Sequence, residues 1–232
     1  MNIKKFATAL FITGVSTLSF ADERLNLNIV NLQAEASRQV SNDEMHAVLF
    51  IEKSNKQPAE LSNQITQLMN QAMSLAKKYP QVKVETGSQT TYPVYDNDSS
   101  KLKDWRGRAE INIESTDFKA ASQLVSELQQ SFQTQSIYFS VSDAQRKKVE
   151  NELIKEASKN FQERAQLLTQ AWNKSGYQLV SLNLNTSGYA PQPMSMRALS
   201  ASAPMVESAS MQTVASGESK IIMNAMGSIQ FK

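Results

Sequence analysis

Ser142–Gly176 reads SDAQRKKVENELIKEASKNFQERAQLLTQAWNKSG and predicts the longest helix of the chain. Its apolar residues recur at steps of three and four, which places them along one face of a helix. Ser142 and Gln145 have the spacing of a capping box at the helix start, and Gly176 would suit the left-handed position after the helix. The positions predicted to face the core are Val149, Leu153, Ala157, Phe161, Ala165, Leu168 and Trp172.

The segments before this helix alternate between strand and helix patterns. The strand patterns lie near residues 44–53, 82–95, 105–114 and 137–141, and the helix patterns lie near residues 58–79 and 117–128. The order strand, helix, strand, strand, helix, strand is that of a split βαβ, or ferredoxin-like, unit. In such a unit the helices cover one face of an antiparallel sheet.

Further strand patterns flank this unit at residues 25–40, 177–185 and 221–231. We therefore predict an α+β fold, with an antiparallel sheet that contains a split βαβ (ferredoxin-like) unit, a long C-terminal helix and additional terminal strands. The opening strand has to pair with one of the terminal strands or with the strand that begins at Glu44. Residues 44–53 carry apolar side chains on both faces, which predicts a central strand that is covered on both sides.

Residues 1–21 have the features of a secretory signal peptide. Lys4 and Lys5 precede an apolar core, and Ser19-Phe20-Ala21 forms a small-x-small cleavage pattern before Asp22. The core is too short, and too interrupted by polar residues, to span a bilayer. We therefore predict an exported, periplasmic or envelope-associated protein in which residues 22–232 form a single domain without a transmembrane segment.

Charge and cysteine content exclude several classes of function. The full chain has 24 basic and 22 acidic side chains, and residues 1–21 contain Lys4, Lys5 and no acidic residue, so cleavage would leave a formal net charge of zero. Nucleic acid is held by clustered positive charge, so it is not an expected partner. The absence of cysteine excludes disulfides, thiol nucleophiles and thiolate metal sites.

Residues 189–219 differ in composition from the rest of the chain, because they are rich in serine, proline and methionine and contain few charges. We interpret them as a long flexible loop. Thioether sulfur can bind Cu(I) and can be oxidised to the sulfoxide, whereas methionines in a loop can also serve as adaptable contacts for a partner. These alternatives concern Met194, Met196, Met205 and Met211.

No catalytic set is recognisable in the sequence. His46 is the only histidine, it cannot bind zinc alone, and it would need serine and acidic partners from elsewhere to form a triad. Residues 96–100 resemble the start of a calcium loop, but Lys101 and Gly107 stand where glycine and glutamate are required, so we favour a hairpin loop. The seven glycines are too widely spaced for a phosphate-binding loop. We predict no catalytic residue and no cofactor.

SIYFSVSD at residues 136–143 leads into a helix with regularly spaced alanines, and this segment resembles the hallmark of SIMPL-domain proteins. YPVYD at residues 92–96, followed by Trp105-Arg106, is similar to the Pro-x-Tyr hairpin of the family, and residues 216–218 fit the segment before its last strand. The resemblance extends over residues 27–231.

The chain departs from the family pattern at three places. Asn42-Asp43 stands where Pro-Asp is usual, Asn160-Phe161 stands where Asp-Ala is usual, and the loop is rich in methionine. The resemblance implies an exported protein from a family with members linked to oxidative-stress defence and members that assemble into large rings. It implies no catalytic residue. We expect a non-enzymatic structural or stress-protective role, exerted as a homo-oligomer or through envelope protein partners. The alternative is a copper-binding or oxidant-scavenging module that uses the loop methionines.

Overall fold

The computed structural model describes residues 27–96, 101–188 and 216–232. Within these ranges the chain forms seven strands and three helices, which confirms the α+β class. The elements are β1 (Ile29–Ser41), β2 (Glu44–Asn55), α1 (Pro58–Ala76), β3 (Lys83–Tyr95), β4 (Leu102–Ser115), α2 (Phe118–Leu128), β5 (Gln133–Ser140), α3 (Asp143–Ala171), β6 (Tyr177–Gly188) and β7 (Glu218–Phe231). Their strands form two antiparallel sheets with the orders β3-β4-β2-β5 and β1-β7-β6.

The four-stranded sheet with α1 and α2 is the predicted ferredoxin-like unit. Strand β4 lies between β2 and β3, which α1 connects, so the βαβ crossover is split by a strand. The helices cover one face of the sheet and enclose a core of aliphatic side chains. At Gly107 a Cβ atom would lie 2.5 Å from Ile65 Cδ1, so α1 packs closely against β4. This close contact explains a glycine within a buried strand face.

Strand β2 is central in its sheet, but helices cover only one of its faces, contrary to the prediction. Met45 and Leu49 are buried on the helix side, whereas Val48 and Phe50 on the other side are half-buried. The Arg108 guanidinium carbon lies 3.7 Å from the centre of the Phe50 ring. A cation over an aromatic ring is a favourable contact, which accounts for an apolar residue on a face that none of the three described helices covers.

Helix α3 covers one face of the three-stranded sheet and encloses a second core, which is distinct from the first. Strand β1 pairs without interruption along β7, from Ile29 opposite Gln230 to Ser41 opposite Glu218, so the opening strand joins a terminal strand and not β2. The additional elements therefore form a sheet of their own. Among the described residues, no helix is both long and apolar enough to cross a membrane.

The apolar stripe of α3 is confirmed except at its end. Val149, Leu153, Ala157, Phe161 and Ala165 are buried, and Leu168 is partly buried. The prediction for Trp172 is wrong, because this side chain is 66% exposed. Helix α3 ends at Ala171, and Thr169 occupies the last buried position, with its hydroxyl donating to Ala165 O at 2.8 Å.

The start of α3 uses only half of the predicted capping box. Ser142 Oγ accepts a hydrogen bond from Gln145 N at 3.3 Å, as expected of the N-cap residue. The Ser142 N–H donates to Asp43 Oδ1 at 2.7 Å. A carboxylate from the β1–β2 turn thus supplies the acceptor that the capping box assigns to the Gln145 side chain.

The end of α3 is a Schellman motif centred on Asn173 and not on the predicted Gly176. Asn173 has a φ of 50°, which is the left-handed conformation. Its N–H donates to Gln170 O at 3.0 Å, and Lys174 N–H donates to Thr169 O at 2.9 Å. These are the two bonds of the motif, and asparagine tolerates the left-handed conformation better than most residues.

Two neighbouring connections join the ferredoxin-like unit to the second sheet: the β1–β2 turn at Asn42-Asp43 and the β5–α3 link. Asn42 is buried, its N–H donates to Gly217 O at 3.0 Å, and its Nδ2 donates to Ser216 O at 2.7 Å. Gly217 has a φ of 69°, which favours glycine. The turn therefore also holds the segment that leads into β7. Because β7 begins at Glu218, the last two residues of the predicted 189–219 loop belong to a strand.

Candidate functional site

The face of the four-stranded sheet that the helices leave open carries a polar cluster around His46. The Nε2 atom of His46 lies 2.8 Å from Ser140 Oγ and 3.3 Å from Glu44 Oε2. The imidazole stacks on Tyr138 with a centroid distance of 4.8 Å and an interplanar angle of 8°. The register of β2 with β5 places Glu44 opposite Ser140 and His46 opposite Tyr138. The fold thus places a serine and an acidic side chain beside His46, and the sequence alone could not locate either of them.

The cluster does not have the geometry of a proton relay. In a serine–histidine–acid triad, the acid contacts one ring nitrogen and the nucleophile contacts the other. Here both Ser140 Oγ and Glu44 Oε2 approach the same atom, Nε2 of His46. The two oxygens therefore compete for a single ring position, and both contacts orient the imidazole.

Negative charge concentrates around Glu44. Burial raises the pKa of the Glu44 carboxyl group, and repulsion from Glu114, Asp143 and Asp43 raises it further, while His46 lowers it. Glu44 therefore takes up a proton more readily than an exposed glutamate. The cluster is thus a group of acidic side chains around Glu44, which itself contacts the His46 imidazole.

A small cavity of about 80 Å³ adjoins this cluster, with His46, Glu114 and Tyr138 in its lining. A cavity needs about 10–15 Å³ of such space to hold one water molecule, so this one has room for a few water molecules. Lys83 Nζ lies 3.6 Å from Glu114 Oε2 and 3.5 Å from Glu85 Oε1 at its edge. The charges on this outer surface are thus partly neutralised by neighbouring strands.

The methionines of the copper and oxidant alternatives lie outside the described residues. These are Met194, Met196, Met205 and Met211. In the calcium-like segment, Asp96 N–H donates to Lys101 O at 3.0 Å, which closes the β3–β4 hairpin as expected, while residues 97–100 are also outside the described ranges. Within residues 27–96, 101–188 and 216–232, no group of three or more histidine, aspartate or glutamate side chains could hold a metal ion.

A second candidate surface lies on β6, at one side of the three-stranded sheet. Strand β6 pairs with β7, and no strand in the described ranges pairs with its other side. Its sequence, YQLVSLNLNTSG, contains neither a charged residue nor a proline. Leu179, Val180 and Leu182 are 54%, 49% and 37% exposed. We call this surface, the outer side of Tyr177–Gly188 with its exposed apolar side chains, the β6 edge.

The opposite side of the same sheet is covered by side chains of α3. Asn160 Nδ2 donates to Glu35 O at 2.9 Å, and Arg164 Nη1 donates to Gln33 O at 2.6 Å. These bonds occupy backbone acceptors of β1 that would otherwise be free to pair with another strand. Natural sheets protect their outer strands in this way, and the β6 edge has no such cover among the described residues.

The two surfaces differ in what the sequence reveals of them. His46 was a candidate in the sequence, but Ser140, Glu44 and Tyr138 were not. The signal that could have found them is the ferredoxin-like order, because the first and last strands of that unit are neighbours. The lack of charge in residues 177–188 is visible in the sequence. That these residues lie at the side of a sheet depends on the pairing of β1 with β7.

Comparison with protein families gives one match. The sequence model of the family SIMPL, described as a protein of unknown function (DUF541), matches residues 30–229. Among curated proteins, none matches the chain. The match includes all seven strands and all three helices at least in part.

Proposed function

Since the chain belongs to the SIMPL family, a family of unknown function, we propose that it is a non-enzymatic structural or stress-protective component of the cell envelope. It acts by self-association or by binding envelope proteins. The observation that supports this role is the β6 edge, a strand of twelve residues with three exposed apolar side chains. An unprotected strand of this kind readily pairs with a strand of another chain.

Self-association is tested by light scattering on the purified protein at micromolar concentration. The expected mass is a multiple of the chain mass. A monomer mass across the micromolar range would count against self-association. Affinity capture from envelope extracts would then have to identify a partner for the proposal to survive.

Export is supported by the signal-peptide pattern of residues 1–21. The protein recovered from the periplasm of cells that express the full chain should begin at Asp22, as determined by intact mass. A cytoplasmic product that retains Met1 would refute export. A membrane-bound product that retains Met1 would indicate an uncleaved anchor.

The non-enzymatic role is supported by the geometry at His46, where Ser140 and Glu44 share Nε2. We expect no hydrolysis of activated ester substrates above the buffer rate. Turnover that disappears in Ser140→Ala and in His46→Ala, with folding unchanged, would overturn this part of the proposal. Turnover that persists in both variants would indicate a contaminating enzyme.

The stress-protective role is tested in a deletion strain exposed separately to peroxide, copper and envelope-damaging detergent. We expect reduced growth under at least one of these conditions, with recovery when the full chain is supplied. Growth equal to that of the parent strain under all three conditions would remove the protective role and leave a purely structural one.

A copper-binding or oxidant-scavenging module is the second candidate, and the spacing of Met194 and Met196 favours it, since thioether pairs bind Cu(I). Cu(I) titration should compare the natural protein with a variant in which all four loop methionines are leucine. Loss of binding in the variant would support a copper site. Equal behaviour in Cu(I) titration and in peroxide consumption would eliminate both forms of the candidate.

A further inference from the structure

We propose that β6 is the strand through which two copies of this chain pair, antiparallel to each other, into one continuous six-stranded sheet. The inference rests on the proposed self-association and names the surface that performs it. Three features of the β6 edge support it: its lack of charge, the arrangement of its two faces, and the position of α3 over the sheet.

The first feature is electrostatic. Strand β6 has no charged residue, so two copies of it can lie side by side without repulsion between like charges. The other outer strands are less suitable. Strand β1 carries Glu35 and Arg38, and β3 carries Lys83, Glu85 and Pro93. Strand β5 is also uncharged, but it is short and its Ile137 and Phe139 pack against the core.

The second feature is the arrangement of side chains on the two faces of β6. Its pairing with β7 places Leu182 and Leu184 on the face that α3 covers, and Ser181, Asn183 and Asn185 on the opposite face. Antiparallel pairing centred on Asn183 places the side chains on each face of β6 beside the side chains on the same face of the second β6. Leu182 then lies opposite Leu184 of the second copy on one face, and Ser181 lies opposite Asn185 of the second copy on the other face. A second copy of the chain therefore matches this strand on both faces.

The third feature is the position of α3. Its Asn160 and Arg164 contact the backbone of β1, so the helix is anchored towards the β1 side of the sheet. On the β6 side, Leu179 and Leu182 keep 54% and 37% of their surface exposed, although they face the same side of the sheet as the helix. In the pairing centred on Asn183, Leu184 of the second copy lies beside Leu182, so the apolar row continues across the two strands and the exposed part of Leu182 is removed from water.

Pairing centred on Asn183 makes a specific prediction, because this residue then lies opposite Asn183 of the second copy. Residues directly opposite each other in antiparallel strands have Cβ atoms about 4.5–5.5 Å apart, and like charges there are destabilising. Asn183 is exposed and on the polar face, so a charged side chain fits without disturbing the core of one copy.

The experiment compares N183K, N183D and their equimolar mixture, each expressed as the full chain, by analytical ultracentrifugation. We expect each variant alone to dimerise at least about tenfold more weakly than the natural protein, and the mixture to regain the natural affinity, since lysine then faces aspartate. Gln33→Lys on β1 is the matched control, because Gln33 is equally exposed on the same face of the sheet but on the covered strand, and it should leave association unchanged.

The possible results separate the two levels of the proposal. If the natural protein associates and both variants associate equally well, β6 pairing is wrong while self-association stands. If both variants lose association and their mixture does not recover it, the antiparallel pairing centred on Asn183 is wrong. A natural protein that stays monomeric up to about 100 µM would refute both β6 pairing and self-association. Circular dichroism of each variant establishes that a loss of association is not a loss of folding.

Discussion

Asp43 binds the N-cap residue of α3, Ser142, through two hydrogen bonds. Its Oδ1 atom accepts from Ser142 N at 2.7 Å, and its Oδ2 atom accepts from Ser142 Oγ at 2.8 Å. Asp43 N–H also donates to Ser140 O at 3.0 Å. A single residue of the β1–β2 turn thus fixes both the end of β5 and the start of α3, which are the elements that link the two sheets.

Asp43→Ala should therefore destabilise the protein by about 2–4 kcal/mol, since a hydrogen bond to a charged acceptor contributes about 1.5–3 kcal/mol and two donors on Ser142 lose their partner, while water replaces part of the loss at this part-buried site. Urea unfolding measures the change. A double-mutant cycle with Ser142→Ala isolates the pair. Additive effects of the two substitutions would show that the side chains do not stabilise each other.

Phe161→Ala should cost about 3–5 kcal/mol, because its ring is 2% exposed in the core under α3 and its removal leaves a cavity. Leu167→Ala on the same helix is the control. Leu167 is 64% exposed, so its truncation should change the free energy of unfolding by about 0.5 kcal/mol or less. Equal costs for both substitutions would mean that α3 does not pack on the sheet by its predicted stripe.

Glu44→Gln should increase stability near neutral pH. Burial, followed by repulsion from Glu114, raises the pKa of Glu44 in the folded state. Protonated Glu44 contributes stability that is fully present below its pKa in the unfolded chain. This contribution is lost as the pH rises through its pKa in the folded protein. Glutamine removes the partly buried charge, so the variant should exceed the natural protein in stability most at about pH 7. The difference should shrink as the pH falls towards 4.5, the ordinary pKa of glutamate.

Urea unfolding across that pH range measures this difference. Glu163→Gln is the control, because its side chain is 57% exposed on α3, so the substitution should change the free energy of unfolding by about 0.5 kcal/mol or less. A Glu44 variant that is less stable than the natural protein at neutral pH would contradict the expectation. It would show that the contact of Glu44 with His46 outweighs the cost of burial.

Gly227→Ala should destabilise the second sheet by about 1–3 kcal/mol, as expected for overpacking. A Cβ atom at Gly227 would lie 2.2 Å from Ser181 O, which is backbone of β6, so one strand has to move. Gly176→Ala is the control, since the nearest atom to its Cβ lies at 4.0 Å, and its effect should stay within about 0.5 kcal/mol. Urea unfolding followed by tryptophan fluorescence checks both variants, and equal stability would mean that β6 shifts at no cost.

Local patterns predicted the elements whose signals lie within one segment. The stripe of α3 and the Ser142 cap were read from neighbouring residues, and the ferredoxin-like unit was read from the order of its elements. Trp172 was misplaced because the apolar spacing continues one residue past Ala171, where α3 ends, so Trp172 is the C-cap residue and not part of the buried helix face. The outer face of β2 was misjudged because Arg108, from a different strand, covers Phe50.

The arrangement into two sheets and the surroundings of His46 depend on contacts between distant segments. Nothing near β1 in the sequence indicates that it pairs with β7, so the separate second core could not be predicted. Likewise, Ser140 lies beside His46 because the chain passes through α1, the β3–β4 hairpin and α2 before β5 returns to β2. These contacts are fixed by strand register, which a single sequence specifies only weakly over such separations.

The pairing of β1 with β7 also sets an order of folding. The ferredoxin-like unit uses one contiguous stretch, Glu44–Ser140, so it can form as soon as that stretch has been synthesised. Strand β1 precedes it, but its partner begins only at Glu218, near the end of the chain. Although β1 precedes the ferredoxin-like unit in the chain, it is thus among the last of the described strands to find its place. Until then β1 stays unpaired, and an unpaired strand of this length is prone to aggregation.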